Sequence, residues 1–142
     1  MQTQNFKNHA RLVPLYHFVT FTLLVVILIG SIVNLSNSAR ENIYSASLLV
    51  ALTIAVILIA FFARTFALKA QDRAIRAEEN FRHFIATGQP LDNRLRMSQV
   101  IALRFAGDDE FVALAKKAAS ENMRAKEIKK AIQNWKGDYH RA

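Results

Sequence analysis

The chain has 142 residues, 52% hydrophobic and 21% charged, with 19 Lys and Arg against 11 Asp and Glu for a formal net charge of +8. That length suits a single domain. The absence of cysteine excludes disulfide frameworks, thiol nucleophiles and metal sites built on thiolates. The apolar excess is uneven, because Arg11 and Arg40 bracket 28 uncharged residues and Glu41 and Arg64 bracket another 22.

The first apolar string, Phe18 to Leu35, and the second, Ala46 to Ala63, are rich in Leu, Ile, Val and Phe on every side, with no polar face for a soluble helix to turn outward. A helix of 22 residues extends about 33 Å, enough to cross a hydrocarbon layer of about 30 Å. Two spanning helices are therefore expected. The basic start and SNSA at Ser36 to Ala39 loosely match a secretory signal. The apolar centre is longer than a signal's, and a second span follows at once, so the N-terminus is expected to stay attached.

Pro14 falls at the first turn of span one, and Tyr16 suits headgroup depth. His17 at the same depth reads as an interfacial residue rather than a proton relay, since neither span holds an acidic partner for it. The connection Leu35 to Tyr44 carries Ser and Asn turn residues and a cancelling Arg40 and Glu41, which forces an antiparallel hairpin. Lys7 and Arg11 precede the first span, and Arg64, Lys69, Arg73 and Arg76 follow the second. With six basic residues on that side against one in the turn, both termini are expected in the cytoplasm.

No Asp, Glu or Lys lies within either apolar core, so a proton or ion path made by this chain alone has no charges to use. Ser47, Ala51 and Ala55 form a small-residue face at four-residue spacing, and Gly30, Ser31 and Asn34 form another on span one. Packing within the hairpin is the first reading of both, ahead of recruiting a partner's helix.

From Arg64 onward the chain holds 16 basic and 10 acidic residues. Span two is expected to continue as a stalk helix with an apolar seam of Ala67, Ala70, Ala74, Ala77, Phe81 and Phe84. Asp72 to Arg76, Glu78 to Arg82 and Glu79 to His83 provide charge support at i to i+4. Gly88 and Pro90 predict its end near Thr87. Beyond the bridge Gln89 to Met97, Ser98 is expected to cap a helix ending at Gly107, and Asp108 the next, with Asp109 and Glu110 in its first turn. A further helix is expected from Ala125 to Trp135, with Ile128, Ile132 and Trp135 on one face, packed on Leu103, Phe105, Phe111 and Leu114.

The fold class is thus all-α: a transmembrane hairpin over 1–68, a cytoplasmic stalk and turn over 69–90, and a small basic helical domain over 91–142. LRFAGDDEFVALAKKAASENM and EIKKAIQNWKGDYHRA, with MQTQNFKNHARLVPLYHF at the start, resemble an uncharacterised family of small bacterial membrane proteins with two spans. The resemblance covers almost the whole chain, implies this architecture and supplies no catalytic residue.

The leading expectation is a non-enzymatic accessory or scaffold subunit of a larger complex in the bacterial inner membrane, without cofactor or metal. Its expected partners are other membrane subunits or further copies of itself. Candidate packing or partner residues are Gly30, Asn34, Ser47, Ala51, Ala55, Ala74, Ala77, Phe81 and Trp135. Arg64, Lys69, Arg73, Lys129, Lys130 and Lys136 are candidates for contact with anionic lipid or a partner. A membrane-tethered regulator or nucleic-acid binder, using Lys129, Lys130, Lys136 and Arg141 on phosphates, is an alternative, but acidic residues interrupt the positive field. A transporter-permease subunit is another. No phosphate-loop, dinucleotide-loop, zinc-helix or nucleophile-elbow motif occurs. Asp138, Tyr139 and His140 read as a solvated terminus rather than a metal site.

Overall fold

The computed structural model describes residues 4–9 and 12–139. Helices account for every long element, and no strand occurs among the described residues. The chain divides into two compact units, Arg11–Phe66, and Ala67–Ala142 together with Met1–Ala10. The N-terminal residues thus group with the C-terminal half, which local spacing had no means of indicating.

In the first unit a π-helical turn, Leu15–Thr20, leads directly into α1, Phe21–Ser36. The Thr20 hydroxyl donates to the Leu15 carbonyl at 3.1 Å across the widened turn. His17 is bonded locally, with Nδ1 3.0 Å from the Val13 carbonyl, and packs edge-on against Tyr16. At the other end of α1, the Asn37 amide side chain and the Ser38 hydroxyl donate to the Val33 and Asn34 carbonyls, adding to the Asn37 backbone amide that closes the last turn. A short 3-10 turn, Arg40–Asn42, then starts α2, Ile43–Thr87, a single helix of 45 residues and about 68 Å.

The hairpin is antiparallel. Tyr16, near the start of the first helical segment, donates its hydroxyl at 2.7 Å to the Ala60 carbonyl, and the two positions lie similar distances from the turn. The inward positions recur at helical spacing, with Leu24, Leu28, Ser31 and Leu35 on α1 and Ala46, Val50, Thr53, Ile57 and Ala60 on α2. Ser31 and Thr53 bury their hydroxyls at little cost, because each donates to its own helix, at the Leu28 and Leu49 carbonyls.

This seam keeps Ser31 and corrects the expectation for the rest of the small-residue faces. Ala51 and Ala55 are exposed and Ser47 only half-buried; Gly30 and Asn34 are exposed as well, with nothing within 4 Å of a Cβ placed at Gly30. Ala46 and Ala60 supply the close approach instead. One residue of offset rotates a helix face by about 100°, so four-residue spacing alone did not select the face.

The second unit is built from the end of α2, three short helices and the N-terminal residues. Gly88 leaves α2 with φ +72, the left-handed conformation that glycine takes without strain, and donates its amide to Phe84. Helix α3, Met97–Leu103, starts one residue before the expected Ser98 cap and ends four before Gly107. Gln99 accounts for the difference, because its Oε1 accepts the Arg96 amide at 2.7 Å while its Nε2 donates to the Met123 carbonyl at 2.8 Å. Helix α4, Asp108–Ser120, is preceded by Gly107 rather than capped by Asp108, whose carboxylate is taken by Arg82.

The last helix corrects the expectation most. Helix α5 covers only Ala125–Ala131, and Ile132 is already extended, so Ile128, Ile132 and Trp135 do not share a helix face. The chain instead pairs antiparallel at Ala106 and Trp135, with the Gly107 amide donating to Asn134 at 2.7 Å and the Lys136 amide to Phe105 at 2.8 Å. Gly107 makes this approach possible, since a Cβ there would stand 3.0 Å from the Asn134 carbonyl oxygen. Leu95, Val100, Leu103, Phe111, Ala118 and Ile128 form the centre of the core.

Candidate functional site

The polar centre of the second unit is Arg82, a residue that the sequence reading gave only a helical charge pair with Glu78. Its guanidinium is saturated by other partners. Nη1 meets Glu79 at 3.0 Å, Nε meets Asp108 at 2.7 Å, Nη2 donates to the Ala106 carbonyl at 2.8 Å, and the group lies 4.1 Å over the Phe111 ring. Glu79 is buried at 8% exposure and therefore depends on this partner. His83 meets the Gln89 carbonyl and the edge of Phe111 rather than forming the expected pair with Glu79.

The acidic run at the start of α4 does more than complement the helix dipole, as each member holds a different segment. Asp108 binds Arg82, with Lys136 at 3.8 Å; Asp109 accepts from the Asn134 side chain; and Glu110 accepts the amides of Gln133 and Asn134. The Arg82 hydrogen bond holds the Asp108 carboxyl below its usual value, with Lys136 adding to the effect. Stability from this contact is therefore full above the ordinary carboxylate value of about 4 and is lost as pH falls through the lowered one. Asp108→Asn is expected to weaken the second unit at pH 7 and to flatten its loss of stability below pH 4. Urea unfolding of the detergent-solubilised chain at pH 7 and pH 3 checks both.

A second cluster surrounds Phe105, which is fully buried. Trp135 stacks on it at 4.8 Å and 19°, His9 meets it edge-on at 5.6 Å, and Arg104 and Lys129 lie over the ring at 4.7 and 5.3 Å. Gln4 and Asp138 exchange two hydrogen bonds, at 3.0 and 2.9 Å, and Arg104 pairs with Asp138 at 3.2 Å. Described residues near both ends of the chain are tied together here. Apart from Phe6, which His9 also meets, the partners of His9 and Gln4 are more than 90 residues away, so no motif or periodicity announced them.

The predicted contact residues are scattered. Lys129 turns to His9, its Nζ 2.9 Å from Nε2, and Lys136 faces Asp108. Lys69, Arg73 and Lys130 are exposed, and Arg64 is half-buried. Trp135 is half-buried against Phe105, while Ala74, Ala77 and Phe81 stay uncovered on α2. His140 and Arg141 lie outside the described residues, as does Arg11. An open cleft of about 820 Å³ beside α2 is lined by Glu78, Phe81, Arg82, Ile85, Lys136 and Tyr139 among others. Among the described residues no group of three or more His, Asp or Glu could hold a metal ion.

Asp92 belongs to a local turn, and Glu127 to the first turn of α5. The Arg94 side chain, its amide assisting, pulls the Asp92 pKa down to about 2, and the Arg124 amide lowers that of Glu127. The first contact orders the bridge before α3, and the second closes a capping box at the start of α5.

No curated protein and no solved structure matches the chain. A family match does extend over residues 1–142, the whole length, including the N-terminal segment and the module it joins. The chain belongs to DUF6526, a family of unknown function.

Proposed function

We propose that this chain is an integral membrane protein. Its two apolar helices cross the bacterial inner membrane as a hairpin, its helical module and both termini lie in the cytoplasm, and it acts as a non-enzymatic accessory or scaffold subunit of a larger complex. The observation that carries this reading is the exposure of the apolar helices. Leu15–Ser36 and the apolar part of Arg40–Thr87 have mean hydropathies of 2.5 and 2.8, yet only 6% and 11% of those windows are buried. A soluble core helix of that composition would be covered. Here Val26, Ile29, Leu52 and Ile59 each expose more than half their surface, which costs free energy in water and little in lipid.

Two observations support the orientation. The hydrogen bonds between Gln4 and Asp138 require both to be on one side, as an even number of crossings provides. The basic excess flanking the spans favours the cytoplasm for that side. A scaffold role fits a polar centre whose charged groups are committed to holding segments together: Arg82 to Glu79 and Asp108, and Glu110 to two backbone amides. The nucleic-acid alternative is less well supported, because Lys129 and Lys136 face His9 and Asp108.

Alkaline carbonate extraction of membranes tests the anchor. The chain is expected in the pellet and to be released only by detergent; release by carbonate alone contradicts the reading.

A further inference from the structure

The stalk part of α2 packs one face on its own module and leaves an adjoining stripe uncovered, with Phe81 at the rim of the open cleft. Ile75 and Glu79 are buried and Arg82 nearly so, whereas Ala67, Ala70, Ala74, Ala77, Phe81 and Phe84 are all exposed. These six alternate at spacings of three and four, so they form one stripe about 27 Å long, with Phe81 64%, Phe84 51% and the neighbouring Ile85 70% exposed. Given the membrane reading, on which this inference rests, the stripe follows Arg64 in sequence and Lys69, Arg73 and Arg76 lie within the same stretch of helix, which puts it in water rather than lipid.

We propose that a second copy of this chain covers the stripe, the two α2 helices pairing in parallel and in register as a short two-stranded coil. Charge selects this occupant. With the stripe as the a and d positions of a heptad, Arg73 takes a g position and Glu78 the e position five residues later, and facing helices bring those two sites together when they run parallel. Arg73 of each copy then meets Glu78 of the other, giving two symmetric pairs. Neither residue has an ion pair with another described residue in the single chain. An antiparallel arrangement would match g with g and e with e, and would lose both pairs.

Anchoring imposes the same choice, since copies inserted the same way in one membrane present their stalks parallel and at equal height. The coil is short for independent stability, but confinement to a membrane raises the effective concentration of one stalk near another. Alanine at the first four core positions permits close approach, and the two phenylalanines supply most of the buried area.

The cysteine-free chain makes crosslinking a direct test. In native membranes under oxidant, Ala74→Cys and Ala77→Cys are expected to give a disulfide-linked species of twice the chain mass, several-fold more than Arg76→Cys on the opposite face. On the Ala74→Cys background, Arg73→Glu is expected to cut the yield by roughly three- to ten-fold, and adding Glu78→Arg to restore it. Equal crosslinking at Arg76→Cys, a product joining Ala74→Cys to a different polypeptide, or failure of the double charge exchange to restore the yield overturns the proposal. Carbonate extraction of the same membranes separates the failures: a retained but uncrosslinked chain sinks the dimer alone, whereas a released chain sinks the anchor as well.

Discussion

Replacing Arg82 with Ala is expected to destabilise the second unit by about 2 to 4 kcal/mol, the cost of stranding a buried charge and several hydrogen-bond acceptors. Glu79, 11% exposed at its side chain, loses its counter-charge, the Ala106 carbonyl loses a donor, and Phe111 loses the cation over its ring. The Asp108 side chain, 79% exposed, regains water and adds little to the loss. Arg82→Lys is expected to recover less than half, because one ammonium cannot reproduce three separate directions of donation. The midpoint of urea unfolding followed by proteolysis in detergent measures both variants. Full stability in Arg82→Ala would mean that α2 and α4 are held by apolar packing alone.

Phe105→Ala is expected to cost about 3 to 5 kcal/mol, the range for emptying a fully buried aromatic site. The change should also be visible spectroscopically, because Trp135 is the only tryptophan and loses the ring on which it stacks. A red shift of its emission and faster proteolysis of the N-terminal segment, whose His9 packs against the same ring, are the expected signs. Phe105→Leu should keep most of the stability while losing the stack. If Phe105→Ala leaves both the emission and N-terminal protection unchanged, the ring does not join the two ends of the chain.

The parts legible in the sequence were those written locally. Two uncharged strings set two long apolar helices, and Gly88 marked the end of α2 at Thr87 because its positive φ is a property of one residue. The face of a helix that packs is decided by its partner, so Ser47 and Ala51 fall one residue past Ala46 and Val50 of the seam, and Ala55 falls between Thr53 and Ile57. Asp108 looked like a cap because cap chemistry is local, whereas Arg82, 26 residues earlier, claims it. Trp135 sits at helical spacing from Ile128 and Ile132, but the backbone bonds at Gly107 and Lys136 draw that segment into an extended pairing. Of the candidate contact residues, the ones that the structure recruits internally, Lys129 and Lys136, face partners brought close only by the tertiary fold, His9 and Asp108.

In the proposed arrangement the two apolar helices form a membrane hairpin with the module and both ends on one side. Single cysteines placed in this cysteine-free chain at Asn42, in the turn, and at Lys130, on the module, allow it to be tested with a membrane-impermeant maleimide on intact cells. Labelling of Asn42→Cys is expected from outside, and of Lys130→Cys only after the membrane is opened. Labelling of both positions from the same side would contradict it.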